Sequence, residues 1–173
     1  MNQGTMRILV VDDFAAWRQF VCSILEKEAR WHVVSEASDG LEAVLKAQEL
    51  TPDLILLDIG LPKLSGIEAA RRIREVAPNS KILCVSTHAD FDFVEQALAT
   101  GASGYVLKAY AGSELVPAME AIFQGKRFVS SRLKGLISAG AEDSISREAV
   151  TPRKASEESV HNNRAFIPGE NGL

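Results

Sequence analysis

The sequence predicts a doubly wound α/β domain built on a parallel sheet, and three observations carry that prediction. Short β-branched runs alternate five times with longer segments whose apolar residues return every three or four positions. Three of the runs, ILVV, LILL and ILCV, show no polar alternation, as expected of strands covered by helices on both faces. Each run is bounded by Gly, Pro, Asp or Ser, which punctuate strands in such units.

Taken in order, the strands are predicted over residues 7–11, 31–35, 54–58, 81–86 and 104–107. The first helix is written in the stripe Phe14, Trp17, Val21, Ile24 and Leu25, the second in the shorter Leu41, Val44 and Leu45. Ile67, Ala70 and Ile73 line a third, opened by a Ser65/Glu68 capping box. Val94, Ala97 and Leu98 line a fourth and Leu115, Met119, Ile122 and Phe123 a fifth, with Gly101 and Gly125 placed for left-handed C-termini. Pro117 is tolerable only if it falls in the first turn of the fifth helix. Right-handed crossovers then give the flavodoxin-like strand order 2-1-3-4-5, a (βα)5 domain over residues 6–125.

Beyond it, residues 126–137 are expected to form a short helical extension, with a helix around 131–139. Residues 138–173 are expected to be a low-order tail, because these 36 residues carry only six large apolar side chains and no sustained period. The full 173 residues correspond to about one domain. With 46% hydrophobic and 24% charged residues the chain can bury a core. No apolar run approaches the roughly 18 residues of a membrane span, and two aspartates follow the first apolar run where a signal peptide would continue. A cytoplasmic location without membrane contact is expected. Cys22 and Cys84 have no partners at metal-ligand spacing and read as small buried hydrophobes. A net charge of -4 offers no basic footprint for nucleic acid, so direct DNA binding is not expected of this chain.

In such sheets ligands bind beyond the carboxyl ends of the strands, at the switch in strand order between the first and third. Asp12 and Asp13 end the first strand, Asp58 the third, Ser86 and Thr87 the fourth, and Lys108 follows the fifth. Three carboxylates crowded together repel and raise at least one pKa unless a cation compensates. Oxygen ligands without His or Cys suit Mg²⁺, which accepts one or two carboxylates plus phosphate oxygens. Each residue also has a plainer reading: Asp13 as the N-cap of the first helix, Asp58 as a solvated carboxylate, Lys108 as a surface lysine, His88 as a rim residue and Tyr105 as a half-buried strand aromatic. The joint pattern favours phosphoryl chemistry, since four strand ends carry residue types it needs.

The segments VVDD (Val10–Asp13), LLDIGLPKLSGIE (Leu56–Glu68), VST and GASGYVLK (Gly101–Lys108) together resemble the receiver domain of bacterial two-component response regulators. The run on through ELVPAMEAIFQGKRFVS is most similar to the subfamily that usually ends in a helix-turn-helix domain. The resemblance implies that Asp58 is the nucleophile, accepting a phosphoryl group from a sensor histidine kinase or a small donor. It implies Mg²⁺ held by Asp13, Asp58 and the Gly60 carbonyl, with Asp12 acting through water, and Lys108 on the phosphoryl oxygens. Ser86 and Tyr105 would form the switch, moving the surface of helix four, strand five and helix five to control a protein partner or a homodimer. Thr87, where a smaller residue is usual, would narrow access to the phosphoryl group, while Gly60 and His88 stand at positions that tune attack by water.

A helix-turn-helix domain needs three packed helices, more than the last 36 residues are expected to supply, so the chain reads as a stand-alone receiver or a truncated relative of a transcription regulator. A phosphorylation-independent interaction module stays open beside the switch. The enzymatic alternative is an aspartyl-phosphate phosphohydrolase, which wants a second Asp where this chain has Gly60. The leading reading is therefore a signalling module that catalyses only its own phosphorylation and dephosphorylation.

Overall fold

A computed structural model describes residues 5–135 of the chain. In chain order the elements are β1 (Met6–Val11), α1 (Ala15–Leu25), β2 (Trp31–Ala37), α2 (Gly40–Leu50), β3 (Leu54–Leu57), α3 (Gly66–Val76), β4 (Lys81–Ser86), α4 (Phe91–Ala99), β5 (Gly104–Leu107), α5 (Ala111–Phe123) and β6 (Phe128–Val129). All strand pairs are parallel, in the order β2-β1-β3-β4-β5-β6. The predicted order is present, with one further edge strand that periodicity could not show, because a strand of two residues has no period.

Alternation along the strands divides the core into two layers. Leu9, Val11, Ile55, Leu57, Ile82, Cys84 and Tyr105 face α2, α3 and α4, whereas Ile8, Val10, Leu54, Leu56, Leu83, Val85 and Val106 face α1 and α5. All four residues of β3 are buried, each side chain contributing about 1.5–3 kcal/mol of transfer free energy. Asp58 is the residue that leaves this fully buried strand.

The helical stripes needed three corrections. Phe14 is exposed and forms the N-cap position of α1, leaving Val21 and Leu25 as its buried residues. In α2 the buried face is Gly40, Ala43 and Ala47, while Leu41 and Leu45 point outward. Small residues are needed there because α2 and α3 lie close together: a Cβ on Gly40 would sit 2.0 Å from the Leu64 carbonyl oxygen. Pro117 is the seventh residue of α5, past the first turn, on the exposed face where water can reach the carbonyl its ring leaves unpaired.

Gly101 and Gly125 take φ of 87° and 77° after α4 and α5, as their placement predicted. Of the capping box, Ser65 Oγ accepts from the Glu68 N–H at 3.3 Å, but the Glu68 carboxylate turns to Arg71 and Arg72. Cys84 is buried, and burial pushes its thiol up to about 12. Cys22 is only half-buried, at variance with the expectation of a core residue. Residues 131–135 are helical, which meets the first half of the helix expected at 131–139; the rest of that stretch and the tail lie outside the described residues. Among the described residues no helix is long and apolar enough to cross a membrane.

Candidate functional site

The carboxyl ends of β1, β3, β4 and β5 bring Asp12, Asp13, Asp58, Ser86 and Lys108 to one edge of the sheet. The parallel ladder does the positioning: Asp12 N–H donates to the Ala37 carbonyl and Asp58 N–H to the Val11 carbonyl, both at 3.0 Å. Behind Asp58 the chain must turn sharply into α3. Gly66 permits this, because a Cβ there would lie 2.0 Å from the Asp58 carbonyl oxygen and 2.6 Å from Ile59 Cα.

Asp12, Asp13 and Asp58 offer carboxylate oxygens that all lie within 4.8 Å of one another. Asp12 and Asp58 are 1% and 6% exposed, so their charges are poorly solvated, while Asp13 is open to water. Lys108, on a short 3₁₀ turn (Lys108–Tyr110) after β5, places Nζ 2.5 Å from Asp12 Oδ2 and 3.4 Å from Asp58 Oδ2. Burial raises the Asp58 carboxyl above its ordinary range; the Lys108 ammonium opposes that shift and Asp12 reinforces it. The Gly60 N–H also hydrogen-bonds the Asp58 carboxylate.

Asp13 does not cap α1. The Phe14 N–H donates to Asp12 Oδ1 at 2.9 Å instead, which leaves the Asp13 carboxylate free of that duty. Asp12 Oδ2 is buried and pairs with the Lys108 ammonium. Three carboxylates converging on one ammonium, two of them buried, are a donor set that fits a hard divalent cation.

On the β4 side, Ser86 is buried and its Oγ accepts from the His88 N–H at 3.2 Å. Tyr105 is not the half-buried strand aromatic of the plainer reading: it is fully buried, and its hydroxyl donates to the His88 carbonyl at 2.8 Å. Burial pushes that phenol up to about 12, so it stays a donor. Thr87 is exposed, and the His88 ring stacks on Phe93 at 4.6 Å between centroids.

Two contributors escaped the sequence reading. Trp17 holds its ring 5.2 Å from Lys108 Nζ, and Arg18 donates from Nη1 to the Asp12 carbonyl at 2.7 Å while pairing with Glu36. Both sit one turn into α1 on the side facing the strand ends, a position that helical periodicity from Asp13 could have flagged.

Residues 8–120 match the family described as the response regulator receiver domain. The chain belongs to that family. The receiver is 35% identical over 133 residues to the transcriptional regulatory protein DegU of Brevibacillus brevis, covering 77% of this chain and 56% of that protein. It is 36% identical over 116 residues to the chemotaxis protein CheY of Thermotoga maritima, covering 67% of this chain and 96% of that protein. Among solved structures, a LuxR-family two-component response regulator from Aurantimonas sp. superposes with a TM-score of 0.75 at 38% identity, over 82% of this chain and 99% of that one. The receiver spans 56% to 60% of the length of its DegU and GacA relatives. Receivers are generally signalling modules rather than enzymes, and the cluster of Asp12, Asp13 and Asp58 fits a phospho-acceptor site.

Proposed function

We propose that Asp58 is the phospho-acceptor of this receiver and that its charge state sets the face made by α4, β5 and α5. The observation that carries the reading is the buried Asp58 carboxylate 3.4 Å from the Lys108 ammonium, inside a triad of carboxylates within 4.8 Å. An Asp58 oxygen attacks the phosphorus of a sensor kinase's phosphohistidine or of a small acyl phosphate. The P–O bond of an aspartyl phosphate forms, and the imidazole or carboxylate leaves with the electron pair of the broken bond. Lys108 neutralises the equatorial oxygens. Asp12, Asp13, Asp58 and the Gly60 carbonyl are the groups that would hold Mg²⁺, which when bound supplies charge neutralisation for the transferring group.

The Ser86 hydroxyl, which accepts from the His88 N–H and lies beside the Tyr105 hydroxyl, would turn its proton to the new phosphoryl oxygens. That pull reaches Tyr105 through the His88 carbonyl its hydroxyl already holds. Thr87 and His88 stand at the rim and tune access of donor and water. The output is recognition by a protein partner or a second copy.

The inward Tyr105 favours one second reading, a module whose output face is already set without phosphorylation. Intact-mass spectrometry after incubation with acetyl phosphate and Mg²⁺ separates the two. One Mg²⁺-dependent phosphoryl adduct, lost in Asp58→Asn, is the expected result. No adduct, together with no binding of beryllofluoride, overturns the phospho-acceptor and leaves the constitutive module.

A further inference from the structure

The sixth strand stops short of the end of β5, and a side chain completes what its backbone does not. Gly104 pairs with Phe128 and Tyr105 with Val129, and the Ser130 N–H still donates to the Tyr105 carbonyl at 2.9 Å. The last outward N–H of β5, that of Leu107, has no strand carbonyl to meet. Ser130 Oγ accepts it at 2.9 Å. Ser130 is 0% exposed, and its hydroxyl in turn donates to Glu114 Oε2 on α5. The other Glu114 oxygen accepts from the Ser131 N–H at 3.2 Å and from Ser131 Oγ at 2.8 Å. Leu133, also buried, seats this turn in the apolar cluster that holds Tyr105 and Leu107.

Leu107 immediately precedes Lys108, and Glu114 lies on the helix that begins right after the Lys108 turn. One buried hydroxyl thus closes both ends of the segment that carries the lysine. The Lys108 side chain is flexible, so the direction of its ammonium depends on where this short backbone segment holds its Cα. Misplacing a catalytic group by about 1 Å can cost roughly 10²-fold in rate.

The geometry points to Ser130 and Glu114 as positioning residues for Lys108, making the chain that returns after α5 part of the phosphoryl-accepting machinery. This rests on the proposed role of Lys108.

The test is a double-mutant cycle on the rate of adduct formation with acetyl phosphate and Mg²⁺, using the native chain, Ser130→Ala, Lys108→Ala and the double variant. The expected result is a rate about tenfold lower for Ser130→Ala, with no further loss when Lys108 is already alanine, because residues acting as one unit are not additive. A native rate for Ser130→Ala overturns the inference. So does the same tenfold loss in the Lys108→Ala background, which would mark a general loss of stability. A native rate for Lys108→Ala overturns the underlying reading instead, and the two failures are thereby distinguished. Should thermal melting show that Ser130→Ala does not fold, Glu114→Gln replaces it, since that variant keeps the Ser130–Leu107 bond. Its loss, about threefold, must likewise vanish without Lys108; a native rate for Glu114→Gln overturns the inference.

Discussion

Two lysine–aspartate pairs in this receiver share a separation of 2.5 Å and have little else in common. Lys63 meets Asp39 with side chains 64% and 8% exposed, whereas Lys108 meets Asp12 at 15% and 2%. Asp39 is fully employed: its Oδ1 accepts the Glu42 N–H at 2.9 Å as the cap of α2, and the Lys63 hydrogen bond holds its carboxyl below the ordinary range. Asp12 spends Oδ1 on the Phe14 N–H and Oδ2 on Lys108, and its neighbour Asp58 is pushed the other way by burial. A pair whose lysine stands in solvent and whose carboxylate also caps a helix is screened and already satisfied, so it behaves as structure. Two buried carboxylates and a third at the solvent edge, facing one ammonium, carry excess negative charge in a poorly solvated site, so they are poised for a cation and a phosphoryl group. Distance alone does not separate the two; burial and charge count do.

The comparison breaks most visibly at the lysines. Lys108→Ala is expected to slow phosphorylation by acetyl phosphate by roughly 10²–10³, the cost of removing one preorganised charge partner from a transition state. Lys63→Ala should leave that rate at the native value, and an equal loss from both would erase the distinction. Intact-mass time courses measure each.

Glycines sharpen it next. Gly66 backs the Asp58 carbonyl and Gly40 backs Leu64 beside Lys63, each with a would-be Cβ 2.0 Å from a backbone oxygen. Gly66→Ala and Gly40→Ala should each cost about 3 kcal/mol in urea denaturation, through forced displacement of packed backbone. Only Gly66→Ala is expected to slow phosphorylation at a temperature where both remain folded.

The smallest effect concerns a third carboxylate, Glu114. Burial pushes it up, but hydrogen bonds from Ser130 and Ser131 outweigh that and leave it below its ordinary value of 4.5. A carboxyl lowered on folding contributes stability that is present above the unfolded value and lost as pH falls through the folded one. The difference in urea midpoint between the native chain and Glu114→Gln should therefore be full well above the ordinary value of 4.5 and shrink as pH falls below it. A difference that does not change with pH would remove the carboxylate from the clasp.

How much of this was legible in advance varies along the chain. β4 and β5 fall on their predicted residues, and β1 and β3 differ by one residue at an end, because all-apolar runs of that length between turn residues have few other uses. β2 continues to Ala37, beyond its predicted end at residue 35, because pairing with β1 through a register shift carries it on. The faces of α1 and α2 were misread at Phe14, Leu41 and Leu45, since a stripe drawn from large side chains overlooks a helix whose neighbour demands alanine and glycine. At the site, Asp12, Asp58, Ser86 and Lys108 could be nominated because parallel strands deliver their carboxyl ends to one edge. Glu114 and Ser130 could not, because nothing in their own surroundings in the chain distinguishes them from ordinary surface or turn residues.

The order of elements, the parallel sheet and the edge where chemistry gathers were determined by the sequence itself, through local period and chain connectivity. Which of two equal ion pairs is the more desolvated, and that a serine after α5 holds the end of β5, were decided only by the tertiary structure. Those properties depend on what lies across a gap of a few ångströms from distant parts of the chain, and solvation and hydrogen-bond completion are set there rather than by sequence neighbours.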